Sequence, residues 1–238
     1  MTDRDNAAHC GVAVKTIRRW RRLYRRRGLP RGSPTSAPCP RCEGAPLDEA
    51  AYALLLGWYL GDGHLVRGRN DVWSLSIYND VDYVELNDEI AATLVAVKGA
   101  GRVTRRSHPG CIETKLYWKH WACVFPQAGP GMKHTRPIVL EEWQRQVVKR
   151  FPHRFVRGLF HSDGCRITNW TVRHLRSGPR RYEYPRYFFS NKSEDIINLC
   201  TWALDLLDIA WRRTNPQHVS VARREAVAAL DLHVGPKS

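Results

Sequence analysis

The chain has 238 residues, 43% of them hydrophobic, with 38 Lys and Arg against 23 Asp and Glu, a formal net charge of +15. That suffices for one sizeable core and a small extra module, and a balance so basic points to a polyanionic partner, nucleic acid first. No apolar run is long enough to span a bilayer, and the polar, then Arg-rich, start does not read as a signal peptide, so no membrane is expected.

Seven cysteines stand at positions 10, 39, 42, 111, 123, 165 and 200. The number is odd and only Cys39 and Cys42 are close. This is no disulfide framework, so a reducing, cytoplasmic, nucleoid-associated location is expected.

Residues 1–28 read as a basic helix-turn-helix-like segment. Ala7 is small enough for a helix crossing and Gly11 suits the turn. Cys10, Val12, Ile17 and Trp20 would form a shared apolar seam. The second helix then presents Lys15, Arg18 and Arg19 to phosphates and bases. A basic amphipathic helix that only coats phosphates is the plainer alternative. Residues 29–46 are rich in Pro, Gly and Ser and read as a linker. Cys39-Pro40-Arg41-Cys42 inside it is half of a Zn²⁺ site. The other half would come from Cys10 with His9, from Cys111 with Cys123, or from a histidine. No second Cys-x-x-Cys exists, so two free thiols are the expectation and Zn²⁺ the alternative.

Residues 47–61 read as a helix. His64–Arg67 and Val72–Tyr78 read as strands around a turn. A helix capped by Asp80 follows, with apolar Tyr83, Leu86, Ile90, Leu94 and Val97 at helical spacing. Its other face holds Asp82, Glu85, Asp88 and Glu89. The strands at 101–108 and 111–119 carry Arg102, Arg105, Lys115 and Lys119 instead. Acid segregated to helices and base to strands suggests a basic sheet face turned to DNA.

A short helix at 120–125, a Gly/Pro loop at 127–133 and a connecting helix at 139–149 lead to a second helix ending at Asp163. Strands follow at 165–168 and 182–190, separated by a basic loop, 173–181, that contains Arg173 and suits backbone contacts. Ser193 caps a helix to Leu207. A hairpin with Arg212 and Arg213, then a helix at 225–232, close the chain.

The order strand, strand, helix, strand, strand, helix thus occurs twice, and each round starts with the same motif. Residues 55–63 are LLGWYLGDG and residues 156–164 are VRGLFHSDG. Gly57 and Gly61, like Gly158 and Ser162, lie four apart on one helical face, where small residues permit close backbone approach. If the two helices pack on those faces, Asp62 and Asp163 meet. Two adjacent carboxylates repel unless a divalent cation joins them. Either motif alone could be a core helix ending in an Asp-Gly turn.

From residue 47 to about 235 the sequence resembles the single-chain, two-motif form of the LAGLIDADG homing endonucleases. The resemblance rests on Gly57, Gly61, Asp62 and Gly63 and on Gly158, Ser162, Asp163 and Gly164. Leu60 and His161 stand where the family is often acidic. The resemblance implies an α+β fold, a pseudo-twofold αββαββα repeat with antiparallel saddle-shaped sheets, spanning 47–135 and 151–238 with a connecting helix at 136–150. It implies a monomer that cuts double-stranded DNA with Mg²⁺ or Mn²⁺ at Asp62 and Asp163, with Gly61 and Ser162 as further ligands. Lys119 and Arg224, each at the end of a repeat's last strand, are the candidate catalytic cations. Arg67, Arg102, Arg105, Lys115, Arg166, Arg173, Arg212 and Arg213 are the candidate DNA contacts. The competing reading is a non-cleaving transcriptional regulator on the same scaffold. A splicing or maturase role is weaker, because flanking splicing blocks are not seen.

Overall fold

The computed structural model describes residues 2–27, 37–235 and 237. Met1–Ser36 and Ala37–Ser238 form two separate units. In the first, α1 (Asp3–Cys10) and α2 (Val14–Arg27) flank a turn in which Gly11 takes φ +63°, a conformation that favours glycine. Thr2 and Asp5 cap α1 reciprocally. Ala7 and Ile17 are buried, but Cys10 is exposed and Trp20 is 47% exposed. The apolar seam is therefore shorter than its sequence suggests. Residues 28–36, with the first part of the expected linker, lie outside the described residues, whereas Ala37–Pro46 belong to the second unit.

The second unit is organised on α3 (Glu49–Leu60), whose residues from Ala51 to Leu60 are all buried. A helix apolar on every side must be enclosed by other elements. Asp48 caps it by accepting from the Ala51 N–H at 2.9 Å. It packs on α7 (Pro152–Asp163). The crossing is a backbone contact. A methyl added to Gly57 would lie 2.8 Å from the Leu159 nitrogen, and one added to Gly158 2.8 Å from the Trp58 nitrogen.

Each helix feeds an antiparallel sheet of the same topology. β1 (Gly63–Arg67), β2 (Trp73–Asp80), β3 (Thr104–His108) and β4 (Cys111–Trp118) lie in the order β1-β2-β4-β3. β5 (Gly164–Leu175), β6 (Gly178–Ser190), β7 (Arg212–Asn215) and β8 (His218–Val221) lie in the order β5-β6-β8-β7. α4 (Val84–Lys98) and α8 (Glu194–Leu206) join the hairpins of each sheet. α5 (Trp121–Val124), α6 (Glu142–Arg150) and α9 (Arg224–Val234) complete the unit. Leu75, Ile77, Leu116 and Phe189 are buried on the faces turned to the helices. No described helix is long and apolar enough to cross a membrane.

Three local expectations change. Residues 173–181 are not a loop: β5 and β6 pair from Gly164↔Phe189 to Leu175↔Gly178, so the basic stretch is the end of a long hairpin. Asp80 ends β2 and accepts from the Asp82 N–H at 3.0 Å, while Tyr83 takes the N-cap position of α4. Arg102 precedes β3 instead of lying in it.

Backbone contact leaves nothing to yield around Gly57 and Gly158. Gly57→Ala or Gly158→Ala is expected to cost roughly 3 kcal/mol or more. Gly99→Ala, at φ +83° with open space around it, is expected to cost only about 1 kcal/mol. Urea denaturation of the three variants checks the ranking.

Candidate active site and nucleic-acid interface

The helix contact dictates where the acids go. One turn beyond Gly57 and Gly158, Gly61 faces Ser162. A methyl on Gly61 would lie 3.1 Å from Asp163 Oδ2. The Ser162 hydroxyl turns into its own helix, donating to the Gly158 and Leu159 carbonyls at 3.0 and 2.9 Å. Asp62 leaves α3 for β1, and Asp163 ends α7 at β5. Both carboxylates are half-buried.

Burial, then the charge of Asp163, raises the Asp62 carboxyl from 3.8 to about 6. Burial raises Asp163 as well, against the Asn191 amide, which donates to its Oδ2 at 2.6 Å. Two ammonium groups act on the pair. Lys133 Nζ donates to the carbonyls of Tyr59, Leu60 and Gly61 at 2.5, 3.0 and 2.6 Å, at the electronegative end of α3. Burial lowers Lys133 to about 8, against the attraction of both acids. Lys237 donates to the Gly164 carbonyl at 2.8 Å and is also lowered by burial. A cleft of about 530 Å³ opens beside Asp62, lined by Gly61, His64, Lys133 and Arg136 among others.

Donor chemistry here fits a hard divalent cation. Two carboxylates, each disfavoured in its charged form, and the main-chain carbonyl of Gly61 are all oxygen ligands. Lys119 and Arg224 are exposed at the end of β4 and the start of α9. Neither is among the cations whose charge acts on the acids; Lys133 and Lys237 are. Sequence reading missed both, along with Asn191. Their one signal is position, since each lysine follows the last helix of its repeat. His161 is buried, stacks on Trp58 at 5.9 Å and holds the Val234 carbonyl through Nε2 at 2.8 Å. Burial and then Arg157 push it down to about 3, so it is a neutral core residue.

Strand register separates the candidate DNA contacts. Arg105 pairs with Thr114, which is buried on the helix side, and binds Asp88 of α4 at 2.5 Å. Arg166 pairs with Tyr187 and binds Asp231 of α9 at 2.7 and 3.0 Å. Arg67 pairs with Trp73 and is held by Asp71 in the hairpin turn. Arg213 is held by Glu194 and the Pro216 carbonyl. These four do not stand on the open faces. Lys115 does, but Glu113 neutralises it at 2.6 Å. Arg173, Arg180, Arg186 and Arg212 share the open face of the second sheet by alternation. Arg173 and Arg180 stack on Tyr182, and Arg186 on Tyr184 and Phe188. The sequence reading placed Arg180 only within the basic stretch 173–181 and omitted Arg186. In the first unit Lys15, Arg18 and Arg19 are exposed, with Arg18 3.5 Å from Asp3.

The raised carboxyl has a sign that can be tested. A carboxyl with a higher pKa folded than unfolded holds its proton more tightly in the folded chain. Its contribution is complete below about pH 4 and is lost as pH rises through about 6. Asp62→Asn is therefore expected to raise Tm in metal-free buffer near pH 7.5 by roughly 5 °C. The difference should close below about pH 4, and Mg²⁺ should raise the Tm of the wild type more than that of the variant. Thermal melts across pH, with and without Mg²⁺, check all three statements.

No protein-family model matches the chain, and no curated protein matches it in sequence. Among solved structures it is similar to the homing endonuclease I-DmoI in complex with DNA and Mn, with a TM-score of 0.51 and 12% identity over 79% of this chain and 98% of that one. Mesophilic variants of I-DmoI give a TM-score of 0.50 and 11% identity over 79% and 97%. The N-terminal LAGLIDADG domain of DUF199/WhiA gives a TM-score of 0.46 and 12% identity over 80% and 83%. At such identities the likeness is one of fold, and the chain carries the LAGLIDADG fold of the homing endonucleases.

Proposed function

We propose that the Ala37–Ser238 unit is a site-specific endonuclease that hydrolyses double-stranded DNA in a divalent-metal-dependent reaction. One observation carries the reading. Two half-buried aspartates meet where two helices touch, and two half-buried lysines, one following the last helix of each repeat, act on them. A structural pair of acids would be stabilised by full neutralisation. Here burial leaves both carboxylates hard to ionise, as is common where a group must engage a ligand.

Asp62 and Asp163, with the Gly61 and Ser162 carbonyls, would hold Mg²⁺ or Mn²⁺. Such an ion supplies charge on the attacking and leaving oxygens. Asn191 fixes the orientation of Asp163 through its hydrogen bond. Lys133, tethered by three carbonyls, keeps its charge beside Asp62 and stabilises negative charge growing on a phosphate. Lys237 is its counterpart at the second strand. The two lysines replace Lys119 and Arg224 in this role. Both acids come from one chain, so a monomer suffices.

The open faces of the sheets would lie on the duplex. Stacked arginines of the second sheet meet phosphates and bases with their conformations already restricted by Tyr182 and Tyr184. Lys15 and Arg19 of the first unit would add phosphate contacts.

Cleavage of a randomised double-stranded library with Mg²⁺ or Mn²⁺ tests the chemistry. Wild type is expected to cut at a long defined site. Asp62→Asn and Asp163→Asn are expected to bind it and cut at least about 1,000-fold more slowly. Selective binding by the wild type without cutting under either metal assigns the chain to the regulators instead.

Binding has its own test. Arg173→Ala and Arg180→Ala are each expected to weaken DNA binding severalfold and lower the salt slope by about 1. Arg105→Ala and Arg166→Ala, whose charges are spent on Asp88 and Asp231, are expected to leave the slope unchanged. Titrations at several salt concentrations distinguish the pairs.

A further inference from the structure

We propose that Cys39, Cys42, His120 and Cys123 form a closed structural Zn²⁺ site that fastens the start of the second unit to its core. The proposal is independent of the nuclease reading.

Their ligand atoms all lie within 4.8 Å of one another. Cys42 Sγ is 3.4 Å from Cys123 Sγ and 3.4 Å from His120 Nδ1, and Cys123 Sγ is 3.8 Å from that nitrogen. A tetrahedron with Zn–S of about 2.3 Å and Zn–N of about 2.0 Å has edges of roughly 3.5–3.8 Å. The three edges among Cys42, Cys123 and His120 are thus within a few tenths of an ångström of coordination geometry, and Cys39 lies within 4.8 Å of each of these ligand atoms. Among the described residues, no other group of three or more such ligands comes together.

Local structure presents each pair. Cys39 and Cys42 bracket a tight turn in which the Glu43 N–H donates to the Cys39 carbonyl at 2.9 Å, and Gly44 leaves it at φ +67°. His120 is the N-cap of α5 and Cys123 lies one turn on, its N–H donating to the His120 carbonyl at 3.0 Å. Residues three apart share a helical face. A soft set of three sulfurs and one imidazole, with no position left open, is the chemistry of a structural zinc site, not a catalytic one. A disulfide explains less. At 3.4 Å the Cys42 and Cys123 sulfurs are unbonded, and such a bridge would leave buried Cys39 and His120 without a role.

The consequence is mechanical. The site ties residue 42 to residues 120 and 123, across α3 and the whole first sheet. Closing so long a loop restricts the unfolded chain. It also holds Ala37, whose carbonyl accepts from Trp118 Nε1 at 3.0 Å, and Arg41, which lies over Trp143 at 4.6 Å.

The test is metal analysis of the full chain, purified without a histidine tag from zinc-supplemented medium. One equivalent of zinc per chain is expected. Cys42→Ser, at an exposed position that spares the core, is expected to retain below about 0.1 equivalent and to lower Tm by roughly 4–10 °C. Cys10→Ser and Cys165→Ser should keep the full equivalent. Cobalt reconstitution should give thiolate charge-transfer bands and the visible bands of a tetrahedral ion. Wild type without zinc, whose Tm does not respond to added zinc, overturns the proposal, as does full retention of zinc by Cys42→Ser. Because Asp62→Asn and Asp163→Asn should keep the zinc, failure here and failure of the nuclease reading are separate results.

Discussion

Everything at the acid pair depends on one steric constraint, the absence of side chains at Gly57 and Gly158. Only glycine lets α3 and α7 touch at the backbone. That contact fixes Gly61 against Ser162 and brings Asp62 to Asp163. The electrostatic cost follows from the packing. Raising Asp62 from 3.8 to about 6 corresponds to a penalty of the order of 3 kcal/mol near neutral pH. That is a large part of the net stability of an ordinary domain. This penalty is what remains after the ammonium groups of Lys133 and Lys237 have lowered it; the amide of Asn191 likewise eases Asp163, and Lys133 is itself disfavoured by burial. The core of α3, with Trp58, Tyr52 and Tyr59 fully enclosed, carries the site's instability. Each such side chain contributes some 2–3 kcal/mol by burial.

The motif helices were legible because their signals are local: spacing of small residues, an apolar run, an Asp-Gly stop. The two rounds of strand and helix were legible for the same reason. Register was not. Arg105 and Arg106 are adjacent in sequence and equally basic, yet Arg105 pairs with buried Thr114 and Arg106 with Glu113 on the other face. Alternation says only that they differ, and it takes the pairing to say which one faces out. The long second hairpin was hidden by its composition. Pro179 and Pro185 argue against a strand, but β8 reaches only Tyr187–Ser190 of β6. Beyond that point one edge of β6 is free, and proline is tolerated there. Lys133 and Lys237 carry no periodicity at all. The second half of the cysteine cluster is a histidine and a cysteine in one helical turn, a spacing common enough to pass unnoticed until the fold sets it beside Cys42.

The acidic residues show how a chain of charge +15 directs its positive charge. Few acids face the open sheets. Asp88, Glu89 and Asp231 lie on helices and take up Arg105, Arg154, Arg157 and Arg166. Exposed pairs of this kind add little stability singly. Arg157 is different: it meets both oxygens of Glu89 at 3.1 Å from one nitrogen and also the Val234 carbonyl, tying α7 to α4 and α9. The internal pairing removes guanidinium groups from the surface on the helix side. On the open face of the second sheet, Arg173, Arg180 and Arg186 lie against aromatic rings, which restrict the side chains without cancelling their charge.

The two proposed metal sites, opposite in character, can coexist in one chain only if they do not compete for the same ion. Zinc binds most mixed ligand sets more tightly than magnesium does, so an oxygen site alone offers no protection against it. Three thiolates and an imidazole supply a far softer set than Asp62, Asp163 and the Gly61 carbonyl. Lys133 adds a second barrier. Its ammonium sits on the Gly61 carbonyl, so a cation entering there must either displace it or bring further negative charge. DNA phosphates bring that charge, and Mg²⁺ is the ion that usually completes its shell from phosphates and water. On the proposed reading, the oxygen site would therefore be weak until a duplex is bound. The sulfur site needs no partner and can fill as the chain folds.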